Sequence, residues 1–439
     1  MHVRQPRRGE GKSKLIGFTK LLCGRATVSQ ALRQSHGEEK REASMLQFTT
    51  ADRPLVVWNT SLRCNLRCVH CYNESGVGDS ASELTTEEAE RFIDDLAQMA
   101  VPVLLFSGGE PLLREDIYHL GSYAASRGLR PVLSTNGTLI APEIGNKLAD
   151  AQFQYVGISI DGLESTHDRL RCRRGAYQDA WAGLRTARER GLRTGVRFTV
   201  SKENLDDLPR VLDTAVEERV DRFCLYHLVY AGRGAQLANR DLSNAERRQM
   251  IEWLVQRTEE LHSRGHDLEI LTTDNHADGI YLYHRIRERD PARAEEVLEL
   301  LAMHGGCSAG RKFANVDARG DVHACQFWGH VSLGNVRERP FSEVWRDVSN
   351  PLLAKLKENQ SHLTGRCSAC HYTAYCGGCR IRAEVRFGDT WSEDPACYLT
   401  DEEVGIAAAD KAALEATQAL AGRAVGPLRH GPTSRTLET

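Results

Sequence analysis

At 439 residues the chain exceeds what one small core can organise, and two to three domains are expected. A net charge of −3, with 41% apolar and 27% charged residues, fits a globular protein and excludes a field drawing it to nucleic acid or an anionic membrane. No apolar run approaches the ~20 residues of a membrane span. The basic start (Arg4, Arg7, Arg8, Lys12, Lys14) lacks the form of a secretion signal, so a cytoplasmic protein is expected. Thirteen cysteines in such a chain argue for metal rather than disulfides.

Residues 1–50 read as an N-terminal extension with a little helix. Residues 55–58 read as a buried strand, followed at once by Arg63-Cys64-Asn65-Leu66-Arg67-Cys68-Val69-His70-Cys71-Tyr72. This Cys-x3-Cys-x2-Cys loop can cap three corners of an iron–sulfur cubane and supplies no fourth thiol, which leaves one iron open to a non-protein ligand. A helix starts next: Thr85 can cap, Glu88 can reach back, and Ala89, Phe92, Ile93 and Leu96 share a face. Strands at 103–106, 131–134, 155–160, 195–200 and 222–229 alternate with helices near 113–127, 141–151, 176–190 and 205–219. Six strand–helix units predict an α/β fold with a parallel sheet and right-handed crossovers. Periodicity alone does not separate a curved, partly closed barrel from a doubly wound open sheet.

In such folds ligands gather at the C-terminal strand ends. The cysteine loop lies there, as do Ser107-Gly108-Gly109-Glu110-Pro111, Ser134-Thr135-Asn136-Gly137 and Asp161-Gly162. Paired glycines let backbone approach a ligand closely. Residues 236–303 read as a helical bridge, with Met250, Leu254 and Leu261 on one face and Ala294, Val297, Leu298 and Leu301 on another. A second cysteine field fills 304–404: Cys307, Cys325, Cys367, Cys370, Cys376, Cys379 and Cys397. A zinc ribbon would use four of these thiols and leave three unexplained. Cys23, Cys172 and Cys224 are isolated and read as small core hydrophobes. Residues 405–439 read as an Ala-rich helix to about 421, then a disordered polar tail.

The cysteine loop, with Gly-Gly-Glu-Pro one unit later, resembles the signature of radical S-adenosylmethionine (SAM) enzymes. The resemblance favours a partial (β/α)6 TIM-like barrel over 51–235. It implies a 4Fe-4S cluster on Cys64, Cys68 and Cys71, and SAM bound by Gly108, Gly109 and Glu110 with Ser134, Asn136, Ser159 and Arg197. The implied chemistry is reductive cleavage of SAM to a 5′-deoxyadenosyl radical that takes hydrogen from an unreactive C–H bond. Residues 304–404 resemble the SPASM extension of these enzymes. By that resemblance Cys367, Cys370, Cys376 and Cys397 ligate one auxiliary 4Fe-4S cluster fully, and Cys307, Cys325 and Cys379 hold another with one iron open or bound by a non-cysteine group. An electron donor such as ferredoxin or flavodoxin is implied.

Further segments, among them Tyr226-His227-Leu228-Val229-Tyr230-Ala231-Gly232-Arg233-Gly234, Asp274-Asn275-His276-Ala277-Asp278-Gly279 and residues 15–24, 334–341 and 393–403, narrow the likeness. They resemble the 12,18-didecarboxysiroheme deacetylases of alternative haem biosynthesis and the related radical SAM proteins of haem d1 biosynthesis. This implies an iron tetrapyrrole substrate whose side chains are removed or oxidised. Such a substrate needs cations for its carboxylates, for which Arg233 is the candidate. His227 and His276 are candidates for axial ligand or proton donor. The chain departs from that subgroup in carrying Cys307, Cys325 and Cys379. Seven-cysteine extensions are typical of radical SAM enzymes that modify ribosomally made peptides, which is the alternative function; a zinc-ribbon scaffold is the third reading.

Overall fold

The computed structural model describes residues 16–24, 50–77 and 80–407. The basic start and nearly all of the expected C-terminal helix and tail lie outside them. The strands are β1 (Ile16–Gly17), β2 (Leu55–Asn59), β3 (Val103–Ser107), β4 (Arg130–Thr135), β5 (Val156–Ser159), β6 (Thr194–Val200), β7 (Arg222–His227), β8 (Glu269–Thr273), β9 (Phe313–Val316), β10 (Asp321–His323) and β11 (Gly334–Asn335). They join in one sheet of order β1-β8-β7-β6-β5-β4-β3-β2-β9-β10-β11. From β9 through β2 to β8 every neighbouring pair is parallel.

Parallel strands are covered on both faces, and Val56, Val57 and Trp58 of β2 are accordingly all buried. The helix Thr86–Gln98 forms where its sequence sets it. Thr85 Oγ1 accepts from Glu88 N while the Glu88 carboxylate accepts from Thr85 N, and Ala89, Phe92, Ile93 and Leu96 are buried. Phe92 meets Trp58 edge-on at 5.8 Å, so the helix seals one face of the sheet.

Two differences from the expected organisation change what lies near the strand ends. Residues 236–303 are not helical throughout: β8 lies among them, fully buried, and extends the six expected parallel strands to seven. Its Glu269 pairs with Arg222 of β7 at 2.7 Å. Residues 16–24 contain the little helix expected of the extension, Phe18–Cys23, but are docked on the sheet. Ile16 and Gly17 pair antiparallel with Thr272 and Leu271, and Thr19 Oγ1 accepts from Ile270 N at 2.8 Å, so this short segment covers the β8 edge. At the other end β9 runs parallel to β2 from Leu55↔Phe313 to Trp58↔Val316, which carries the sheet into the cysteine-rich part of the chain. Among the described residues no helix is long and apolar enough to cross a membrane.

Candidate active site

The cysteine loop leaves the C-terminal end of β2, and neighbouring loops hold its backbone on several sides. After β3, Gly109 N donates to Ser61 O at 2.7 Å and Glu110 N to Arg63 O at 2.8 Å. Gly108 adopts φ +129°, and a Cβ on Gly109 would sit 2.1 Å from Arg63 O. The close approach for which the paired glycines are needed is therefore to the cysteine loop itself. After β7, Gly232 (φ +53°) packs where a Cβ would lie 2.5 Å from Tyr72 O. There Arg233 donates from its backbone N to Cys71 O (2.9 Å), from Nε to Cys68 O (2.8 Å) and from Nη2 to Ser75 O (3.0 Å). After β4, Asn136 Nδ2 donates to Asn65 Oδ1 at 2.8 Å. Glu83 accepts from Ser61 Oγ and Leu62 N and fixes the loop's entry.

Cys64, Cys68 and Cys71 line a cavity of about 960 Å³, its open mouth included, at the C-terminal strand ends. Gly108, Gly109, Ser134, Asn136, Ser159 and Arg197 share that wall, and so do His227 and Arg233. Glu110 and His276 do not. Glu110 is wholly buried, with Oε1 accepting from Thr135 Oγ1 and Leu112 N and Oε2 from Asn136 N, so it ties the β3 loop to the β4 loop. His276 is buried with its ring 5.3 Å from that of His304. Arg233 reaches the cavity, but Nε and Nη2 are committed to loop carbonyls, which makes it a clamp on the cysteine loop more than a cation for a carboxylate. Arg197 differs: its guanidinium lies 4.6 Å over the Tyr226 ring, and among the described residues no carboxylate pairs with it.

Sequence reasoning missed a buried network beside the thiols. Asp161 pairs with Arg171, accepts from Thr199 N at 2.7 Å and has His70 Nε2 at 3.1 Å. Burial opposes its charge, but Arg171 and His70 outweigh this and hold the carboxyl well below the usual range. Arg171 Nη1 also lies 3.5 Å from Cys68 Sγ. Burial pushes Cys64 up to about 12, with Glu110 and the two neighbouring thiols adding, and pushes Cys68 up as well. Neighbouring thiolates in such a site are stable together only against a cationic partner in the cavity. A metal cluster on Cys64, Cys68 and Cys71 meets that need.

The same network gives a pH prediction. His167 Nδ1 accepts from Asp161 N at 3.0 Å, and burial first, then the Arg171 cation, lowers His167 to about 3. The folded chain thus holds His167 neutral where the unfolded chain protonates it near 6.5. Stability from this group is complete above pH ~6.5 and is lost as pH falls toward 3, at about 1.4 kcal/mol per pH unit. Urea unfolding between pH 6.5 and 5 should show a slope shallower by that amount in His167→Asn, whose Oδ1 can still accept from Asp161 N.

In the second cysteine field, burial and then the neighbouring Cys397, Cys367 and Cys370 push Cys376 well above its ordinary value, so these four thiols form one group. Cys379 is raised to about 12 by burial, with Cys307 among the neighbours that add to it. Cys325 acts in the same way on Tyr72, a residue of the active cavity, and the adjacent Gln326 and Phe327 line that cavity. Arg366 Nη1 donates to Cys397 Sγ at 3.0 Å. Among the described residues no three His, Cys, Asp or Glu side chains are gathered tightly enough to hold a single metal ion. Of the isolated cysteines, Cys224 is buried as expected. Cys23 is only half-buried, and Cys172 is exposed at the left-handed end (φ 54°) of the helix Glu164–Arg171, so neither is a core residue.

A parallel sheet with three thiols at its C-terminal strand ends and a second cysteine field fused to it defines a class of iron–sulfur enzyme. Residues 58–215 match the model of the radical SAM superfamily, and residues 307–390 match that of the SPASM iron–sulfur cluster-binding domain. The Fe-coproporphyrin III synthase of Methanosarcina barkeri is 47% identical over 89% of this chain and 99% of its own length. The pre-heme d1 synthase of Dinoroseobacter shibae is 42% identical over 81% and 88%. The mycofactocin maturase of Mycolicibacterium smegmatis matches at lower identity, 31% over 75% and 78%. The fold is that of SuiB from Streptococcus suis, solved bound to S-adenosylmethionine (TM-score 0.62, 21% identity, 79% and 78% covered).

The chain belongs to the radical SAM superfamily. Within it, the chain is a SPASM-type enzyme whose cofactors are SAM and 4Fe-4S clusters.

Proposed function

We propose that this enzyme acts on an iron tetrapyrrole of the 12,18-didecarboxysiroheme type and removes or oxidises its side chains in haem or haem d1 biosynthesis. The observation that carries this reading is the 47% identity to an Fe-coproporphyrin III synthase over almost the whole of that protein, against 31% for a mycofactocin maturase. The geometry supports it with an open cavity beside the three thiols, one part of whose wall (Leu228, Val229 and Phe327) is apolar.

Cys64, Cys68 and Cys71 would hold the catalytic cluster, which when bound supplies the electron that cleaves SAM to a 5′-deoxyadenosyl radical. Gly108, Gly109, Ser134, Asn136, Ser159 and Arg197 would position SAM; Glu110 acts behind them by joining two of their loops. Cys307, Cys325 and Cys379 would hold the auxiliary cluster nearer the cavity, and Cys367, Cys370, Cys376 and Cys397 the one farther out. A small donor such as ferredoxin or flavodoxin and a cytoplasmic setting complete the reading.

The test is anaerobic incubation of the reconstituted enzyme with SAM, dithionite and 12,18-didecarboxysiroheme. A mass loss matching two acetate or two propionate groups is expected. Absence of both binding and turnover would overturn the reading and leave the peptide alternative. Replacing Cys64, Cys68 and Cys71 together by alanine should remove about four irons per chain and abolish 5′-deoxyadenosine formation, while the auxiliary iron remains.

A further inference from the structure

We infer that His227 is the axial ligand to the iron of the tetrapyrrole substrate, through Nδ1, with Asp278 and Tyr398 as positioning residues. The inference rests on the substrate reading above and adds the atom that would bind the metal. His227 is the last residue of β7, lines the cavity and is 2% exposed. Its Nε2 lies 2.9 Å from Asp278 Oδ2. Asp278, in the first turn of the helix Ala277–Arg289, is wholly buried, and its other oxygen accepts from Tyr398 OH at 2.8 Å.

A carboxylate accepts and does not donate, so in the neutral ring the imidazole hydrogen sits on Nε2 and the lone pair on Nδ1. That Nδ1 is buried with no hydrogen-bond partner among the described residues. Such an orphan is costly in a finished core, and of the histidine nitrogens left so among the described residues this one belongs to the cavity wall. A histidine that gives one ring N–H to a carboxylate and keeps the other nitrogen bare has the arrangement found around protein-bound metals, where the carboxylate fixes the tautomer and raises ligand basicity. In that tautomer the ring has no proton to give at Nδ1, and the geometry favours ligation over acid catalysis. The adjoining walls, Tyr226, Leu228, Val229 and Phe327, are apolar or aromatic and suit the face of a macrocycle. His276, packed against His304 away from this wall, leaves the role to His227.

The test uses the anaerobic holoenzyme with iron coproporphyrin III and metal-free coproporphyrin III as probes. Resonance Raman of the ferrous complex should show an iron–histidine stretch in the native enzyme and none in His227→Gln, which keeps a donor for Asp278. His227→Gly should regain a band when imidazole is added. Asp278→Asn should keep the band at lower frequency and bind the iron probe about 10-fold more weakly. The native enzyme should prefer the iron probe over the metal-free one by about 10-fold or more, a preference lost in His227→Gln. If both probes bind but no such band appears, or the band survives in His227→Gln, the ligation is wrong while the substrate reading stands. If neither probe binds, the substrate reading fails and takes this inference with it.

Discussion

Replacing Arg382 with methionine is expected to cost about 3–5 kcal/mol of stability, the penalty for stranding a buried charge. Arg382 is fully buried in the helix Arg380–Phe387 and pairs through both Nε (2.9 Å) and Nη2 (2.8 Å) with Asp394. Burial opposes both charges, yet each holds the other ionised: Asp394 lies well below the usual carboxylate range, Arg382 well above its own. The same guanidinium donates to Leu228 O at 3.2 Å and Asp274 O at 2.6 Å, beyond the ends of β7 and β8. Asp394 in turn accepts from Cys379 N at 2.7 Å. One side chain therefore pins a proposed auxiliary-cluster cysteine to the barrel rim beside His227. Anaerobic thermal melts should show the loss, and iron analysis should show depletion of the auxiliary site. Arg382→Met combined with Asp394→Leu should recover part of the stability, because no charge is then left unpaired, but not the iron. A melting temperature unchanged in the single variant would show that the pair carries no such load.

Gly109→Ala is expected to reduce 5′-deoxyadenosine formation by more than about 100-fold, the cost of a misplacement near 1 Å at a reacting centre. The new Cβ would lie 2.1 Å from Arg63 O and 2.7 Å from Arg63 C, backbone atoms that cannot rotate aside. The loop bearing Cys64 must move, so iron bound at that site should fall together with activity. Gly128→Ala is the control. Its φ is +85°, unlike that of Gly109, but nothing lies within 4 Å of the new atom, so only about 1 kcal/mol of local strain is expected and no loss of iron. Equal effects from the two substitutions would refute the contact argument.

Local patterns carried much of the fold and the metal-ligand candidates. The cap at Thr85, six barrel strands and the cysteine spacings all depend on residues a few positions apart, where sequence speaks directly. β8 was illegible because it is five residues long and flanked by strongly helical stretches on both sides. Missing it hid the strand-end position of residues 274–278, so Asp278 was not linked to His227 and His276 was placed beside the cavity. Arg171, Asp161 and His70 come together from three separate segments, which no spacing rule connects. Arg382 and Asp394 are twelve residues apart with no motif linking them, and only the folded chain shows the pair. Arg233 was noticed for its loop, but its charge serves the backbone of the cysteine loop.

The parallel pairing of β9 with β2 bears on how this enzyme can be handled. A fragment ending before Phe313 would bare the flank of Leu55–Asn59, presenting unsatisfied amides and carbonyls that invite self-association. The two iron–sulfur parts are therefore not portable pieces, and engineering must exchange loops at the rim rather than cut and swap halves.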